Sequence, residues 1–300
     1  MKNFAEKEKA CKMLFGTRGP YWHVYTSGKD TPVLFVSKED FWFVMNVLAQ
    51  AAYEFRLRVI IIAFEVMDNH LHLVLSGNKE DIIAFFAYVK KRISRTIKDA
   101  GLLEATLKSI DDLTSLRNTI VYTNRNGYVA YPEHTPFSYP WGTGRFYFND
   151  IPTHKCYSDY RLTPKREMFR GRAPELPEDW AVIDGYVSPA SFCDLVFGKG
   201  VFRDAHHYFN LLSKNVEAYQ ELAQELGDYD FLTDAELIGK LMIMVKDAYK
   251  VSGLRELSKA QKIDLARTLH YDYRSSNGQI RRVLGLSQYE VDSLFPLSAG

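Results

Sequence analysis

Residues 58–76 read RVIIIAFEVMDNHLHLVLS, and this stretch limits the folds open to the chain more than any other. Arg58 to Val66 is a continuous apolar run of the length and β-branched content expected of a central strand. Met67-Asp68-Asn69 then supplies a turn, and His70 to Leu75 resumes as a second strand. Two such runs joined by so short a turn make an antiparallel hairpin.

The flanking sequence adds elements on both sides. Tyr21 to Thr26 (YWHVYT) is aromatic and β-branched, a first strand after the Gly19-Pro20 break. Ser37 followed by Glu39 and Asp40 marks a helix start, with apolar positions at helical spacing through about Phe55. Asp81 to Ala100 reads as a second helix ended by Gly101, and Leu103 to Ile110 as a further strand. Asp111 to Tyr122 reads as a third helix with an acidic cap. This β-α-β-β-α-β order predicts an α+β fold, an antiparallel sheet with helices on one face.

The rest of the chain changes character. Tyr128 to about Pro177 is rich in Pro, Gly and aromatics, and Tyr139, Trp141, Phe146 and Tyr147 need burial, so it is expected to be an ordered loop region. From Ser188 the pattern turns helical, and Glu256 to Phe295 holds several short helices. There QIRRVLGLS has the layout of a helix-turn-helix turn, with Ser287 capping a last helix from Gln288 to Phe295. The expected division is a domain over residues 1–150, a mixed loop and helical extension over 151–250, and a helical module over 251–300.

Composition excludes some classes. The chain is 46% apolar and 25% charged, ordinary for a globular protein with a core. No apolar run approaches the roughly 18–20 residues of a membrane span, and Met1 to Lys12 lacks the apolar segment of a signal peptide. Cys11, Cys156 and Cys193 form neither a disulfide framework nor a zinc spacing, so a cytoplasmic location is expected. The net charge of +1 argues against bulk packaging of nucleic acid, although a local basic face would still steer a phosphate backbone.

His70-Leu71-His72 is the most informative tripeptide. On a strand, residues two apart project to the same face, so both imidazoles point together while Leu71 and Leu73 point away. Two imidazoles so placed can grip one divalent cation, given a third ligand and open positions for substrate. The alternative is a pair that merely decorates a solvated strand face. His206-His207 fails the same test, because neighbours in sequence diverge, and is read as structural.

MDNHLHLVL, preceded by an apolar strand and by YWHVYT, resembles the HUH signature of single-tyrosine transposases, and more specifically that of the REP-associated tyrosine transposases. Residues Gly19 to Ser76 follow that family's order almost without a gap, with Asp68 where the family often has proline. The resemblance implies a ferredoxin-like or RRM-like HUH domain. It also implies a catalytic tyrosine on a later helix, followed four residues on by an amide. Arg117 to Asn126 (RNTIVYTNRN) supplies Tyr122 and Asn126, and positions i and i+4 share a helix face. By the resemblance Tyr122 is the nucleophile, and Asn126 completes a metal set with His70 and His72, Asn124 being the reserve ligand. The family's proline after this motif is replaced by Gly127, which is expected to end the helix by another route. PFSYPWG, ending at Gly142, resembles the family's proline-tryptophan segment.

The activity this implies is cutting and rejoining of single-stranded DNA, through a 5′-phosphotyrosine bond and a free 3′-OH, with Mg²⁺ or Mn²⁺ as cofactor. The partner is single-stranded or hairpin DNA. Lys90, Lys91, Arg92, Arg95 and Lys98 lie in a stretch without acids and are candidate phosphate contacts, as are Arg274, Arg281 and Arg282 in the C-terminal module. Relatives with this chemistry include dimers that share active sites, and no sequence feature decides between a homodimer and a monomer. Two rivals stand beside this reading. One is a DNA-binding regulator that kept the fold and lost the reaction. The other is a metal-dependent hydrolase, which needs a carboxylate that only Glu65 or Asp68 could supply.

Overall fold

The structure is a computed structural model that describes residues 4–28, 31–131, 134, 137–150, 152–214, 234–251, 253–271, 273, 275 and 277–295. Its centre is the predicted hairpin, β2 (Ile60–Val66) and β3 (Leu71–Ser76), with β1 (Tyr21–Thr26) and β4 (Ala105–Ile110). The sheet order is β2-β3-β1-β4 with every pair antiparallel, so the histidine strand is internal. Register brings His72 opposite Tyr25 on one side and Glu65 on the other, and the register shifts between Ile61 and Ala63.

Residues Trp141 to Thr143 run along the outer edge of β2. The Val66 N–H donates to the Trp141 carbonyl at 2.8 Å and the Thr143 N–H to the Phe64 carbonyl at 2.9 Å. This part of the aromatic segment therefore blocks an exposed sheet edge. That explains why a stretch without strand periodicity is nevertheless ordered.

One helix, α1 (Phe4–Phe15), precedes β1, and α2 (Lys38–Glu54), α3 (Lys79–Ser94) and α4 (Leu113–Ala130) follow β1, β3 and β4. The start read at Ser37 is a full capping box, with Asp40 reciprocating. Asp112 opens α4 by accepting from the N–H groups of Thr114 and Ser115.

The expectation of helices on one face needs correction. Every residue of β3 is buried, which requires cover on both faces. On the face of His72, α4 packs its Tyr122 ring against the imidazole. On the opposite face Phe64 stacks on Phe192, which packs in one cluster with Ala49 and Tyr53 of α2. The expected end of α4 at Gly127 is also not observed, since the helix continues to Ala130. A glycine is needed there for close approach. A Cβ at that position would lie 2.1 Å from the Tyr139 ring and 2.3 Å from Glu65 Oε1.

The expected boundary at residue 150 differs from the packing, which divides the chain into residues 1–127 with 134–215, and 128–133 with 216–300. Residues 152–214 thus pack within the first unit. They form α5 (Leu162–Met168), α6 (Pro189–Phe192), α7 (Leu195–Gly200), α8 (Ala205–Lys214) and a small sheet of β5 (Lys155–Cys156), β6 (Ala181–Ile183) and β7 (Tyr186–Val187). Buried Asn46 on α2 stitches this layer down. Its Nδ2 donates to the carbonyls of Met168 and Gly185, and its Oδ1 accepts from the Val187 N–H. Those partners are more than a hundred residues away in sequence, which is why local patterning set the boundary too early.

In the second unit, α9 (Asp234–Tyr249), α10 (Lys259–Tyr271), α11 (Asn277–Leu284) and α12 (Gln288–Leu294) share one core. Leu237, Leu241 and Val245 of α9 belong to it, so the helical module includes residues the sequence reading placed in the extension. Ser287 caps α12 as expected, with Glu290 closing the box.

Candidate functional site

On the sheet face covered by α4, three histidines meet. His72 projects from β3 and His23 from β1, while His70 sits one residue before β3, where the Met67 N–H donates to its carbonyl and closes the turn. The rings of His70 and His72 lie 5.0 Å apart and nearly perpendicular, at 87°. All three side chains are buried. The face is therefore interior and not solvated, against the decorative reading.

The orientation of His70 is fixed from behind. Asn69 Nδ2 donates to the carbonyls of Gly28 and Thr31, both at 2.8 Å. With both amide hydrogens so used, its Oδ1 must accept, and it does so from His70 Nδ1 at 2.7 Å. The proton on Nδ1 leaves Nε2 as the basic nitrogen of His70. His72 Nδ1 lies 3.3 Å from His23 Nε2. Donation from His72 to His23 places the lone pair of His72 on its Nε2 as well. Such outer partners are what metal-ligating histidines use to set tautomer and ring plane.

Tyr122 closes the group from α4. Its ring meets His72 edge-on at 5.4 Å and His23 at 6.1 Å, and only 2% of the residue is exposed. The structure thus brings together the tyrosine and the histidine pair picked from sequence. Asn126 is one helical turn further on, buried, and its Nδ2 has no hydrogen-bond partner among the described residues. Asn124 faces elsewhere and is spent. Its Oδ1 accepts from Thr143 Oγ1 at 2.6 Å and its Nδ2 donates to the Tyr208 hydroxyl at 3.1 Å. It is a structural residue, not a reserve ligand.

Glu65 is fully buried beside this group, cross-strand from His72. Its Oε1 accepts from the Gly127 N–H at 3.1 Å, while Oε2 has no hydrogen-bond partner among the described residues. A Cβ at Gly142 would come within 2.6 Å of Oε2, so two glycines form the cradle that holds the carboxyl. Burial pushes its pKa well above the usual carboxylate range, and the single N–H bond only partly opposes that. A carboxyl with a raised pKa holds its proton more tightly, and its bond from Gly127 commits one of its oxygens to structure. The other carboxylate that the hydrolase rival could use, Asp68, is half-buried in the turn, and its carbonyl accepts from the N–H groups of Leu34 and Phe35.

The basic candidates are dispersed. Lys90 is paired with Glu104, whereas Lys91, Arg95 and Lys98 are exposed and Arg92 is half-buried, its Nε unpartnered among the described residues. In the second unit, Arg282 makes a two-pronged pair with Asp234 that ties α11 to α9, and Arg281 is exposed. Arg274 lies outside the described residues. His207 is structural, as expected. Its Nδ1 accepts from the Arg203 N–H, and burial pushes its pKa down to about 4.

Among the described residues no group of three or more His, Cys, Asp and Glu is placed to hold a metal ion. A divalent ion here would therefore rely on the two histidine nitrogens and the Asn126 amide. The donor set fits such an ion in type, and the Asn69 and His23 hydrogen bonds fit it in orientation. The roles of Asn69 and His23 were missed in the sequence. For His23 the signal was available, since strand alternation on YWHVYT puts it between Tyr21 and Tyr25 on one face.

No protein-family model matches the chain, and no curated protein matches it. Among solved structures, one of a REP-associated tyrosine transposase bound to a REP hairpin is similar at 14% identity, with a TM-score of 0.34. The similarity covers 56% of this chain and 94% of that one. Among the described residues no helix is long and apolar enough to cross a membrane.

Proposed function

We propose that the chain cuts and rejoins single-stranded DNA at structured repeat or element ends, with Tyr122 as nucleophile. The observation that carries this reading is the meeting of the Tyr122 ring with His72 and His23 on the face where Asn69 fixes His70. Tyr122, singled out by the family resemblance, and the histidine pair, aimed together by strand alternation, come from a helix and a strand distant in sequence. His70, His72 and Asn126 would hold the metal. Mg²⁺ or Mn²⁺ bound there supplies Lewis-acid polarisation of the scissile phosphate.

The remaining chemistry belongs to the chain. Tyr122 Oη attacks phosphorus in line, the P–O3′ bond breaks, and a 5′-phosphotyrosyl enzyme and a free 3′-OH result. The phenolic proton must leave, since a free phenol with a pKa near ~10 is a weak nucleophile at neutral pH. The departing O3′ takes up a proton in its turn, so the exchange balances, and the rings of His23 and His72 face the phenol and position it. The ester conserves the bond energy, so attack by a second 3′-OH reverses the step without ATP.

The burial of Tyr122 favours a second reading, a DNA-binding regulator on the same fold, because a phosphate reaches Oη only if its cover moves. Labelled hairpin DNA incubated with the protein in Mn²⁺ or EDTA, and resolved on denaturing gels, separates the two. A metal-dependent covalent adduct lost in Tyr122→Phe supports catalysis. Tight binding without an adduct supports the regulator.

A further inference from the structure

The stretch RLTPKREMFRGR, residues 161–172, carries five basic side chains against one acid in a chain whose net charge is only +1. It forms α5 and the turn after it. Met168 and Phe169 are buried in the cluster with Ala49, Tyr157 and Val187, which fixes the way the segment faces. With the apolar pair turned inward, the basic residues turn outward.

Two of the five are anchors. Arg170 pairs with Asp40 at 2.8 Å and lies over the Phe43 ring at 5.0 Å. Lys165 sits over the Tyr157 ring at 4.0 Å. Arg161, Arg166 and Arg172 are exposed and have no acidic partner among the described residues. Thr163, Arg166, Glu167, Arg170, Gly171 and Arg172 line one shallow depression.

We infer that this face binds the phosphate backbone of a nucleic acid strand, with Arg166 and Arg172 as its principal contacts. The planar guanidinium fork matches a phosphate oxygen pair, and a hydroxyl such as that of Thr163 donates to the same group. Concentrating charge on one face of a near-neutral chain gives a polyanion a local place to dock. A membrane surface fits less well. An interfacial helix needs an apolar face, and Leu162 is the one large apolar side chain that this segment exposes. The choice of DNA as the polyanion rests on the function proposed above.

The test uses the full chain and a fluorescent DNA hairpin in EDTA, with anisotropy titrations across a salt series, so binding is read without chemistry. Each lost phosphate contact removes about 0.7 to 0.9 from the slope of log affinity against log salt. The double variant Arg166→Gln/Arg172→Gln should therefore flatten the slope by about 1.4 to 1.8, and weaken binding about 25- to 60-fold near ~0.1 M salt. Replacing both by lysine should restore most of the slope. A glutamine variant with unchanged melting and unchanged slope overturns the inference and leaves the Tyr122 adduct assay untouched. Absence of any hairpin binding by the natural chain overturns the inference together with the DNA reading. Loss of binding to phosphatidylserine vesicles with DNA binding intact also overturns it, in favour of a membrane partner.

Discussion

Replacing Gly127 by alanine should destabilise the first unit, opposite in sign to that substitution in most helices. In an exposed helix interior, Gly→Ala gains about 0.5–1 kcal/mol from backbone entropy. Here the added methyl would lie 2.1 Å from the Tyr139 ring and 2.3 Å from Glu65 Oε1, and neither has room to retreat. Tyr139 is pinned by its hydroxyl to the Val66 carbonyl at 2.7 Å, and Glu65 sits in the two-glycine cradle. Overpacking of this kind costs about 1–3 kcal/mol. Losing the Gly127 N–H bond to Glu65 adds about 1–2 kcal/mol for a buried acceptor left unmade. Set against the entropy gain, the net loss is about 1–4.5 kcal/mol, or roughly 3–14 °C in melting temperature for a unit of this size. All four tryptophans, Trp22, Trp42, Trp141 and Trp180, lie in the first unit, so tryptophan fluorescence during thermal or urea unfolding reads that unit alone. An alanine variant as stable as the natural chain, or more so, would refute the reading of Gly127 as a close-approach residue. It would also remove the reason for placing α4 hard against Glu65.

Three further outcomes follow from the same geometry. Asn69→Ala should free the His70 ring and weaken Mn²⁺ affinity about 10- to 100-fold in titration calorimetry, whereas unchanged affinity would mean that His70 is not a ligand. Hydrogen bonding from Arg117, reinforced by Arg203, holds Glu8 down at a pKa of about 2, so its stabilisation is complete above its ordinary value and fades as pH falls through about 2. Glu8→Gln should accordingly cost ~1–2 kcal/mol near neutrality, discounted for partial exposure, with the gap from the natural chain closing on acidification. Glu65 has the reverse sign: its raised pKa favours the folded state below its ordinary value and penalises it as pH rises. Glu65→Gln, which keeps an acceptor for Gly127, should raise the melting temperature at alkaline pH and leave it unchanged near pH ~4; a uniform loss at all pH values would contradict a neutral Glu65.

Part of the candidate site follows from local signals, whereas the roles of Tyr122 and Asn126 came from the family resemblance. Strand alternation aims His70 and His72 together, the i to i+4 relation puts Tyr122 and Asn126 on one helix face, and capping boxes mark where α2 and α12 begin. The pairing of Asn69 with His70 is just as local, yet its meaning depends on the Gly28 and Thr31 carbonyls that decide which way the amide points. Asn124 shows the converse. By sequence it competed with Asn126, and only its bonds to Thr143 and Tyr208 reveal that it is spent.

The sequence by itself determined the central hairpin, the order of elements around it, and the direction in which the paired histidines project, because each follows from backbone periodicity within a few residues. Tertiary structure alone decided that α4 covers the histidine face, and that residues 152–214 belong to the first unit. It also decided that Gly127 serves Glu65 and does not end its helix. Those outcomes rest on contacts such as Asn46 with Val187, Phe64 with Thr143 and Glu65 with Gly127, between residues 62 to 141 positions apart. No local pattern encodes such a pairing. It is selected only when two buried surfaces must satisfy each other's shape and hydrogen bonds at once.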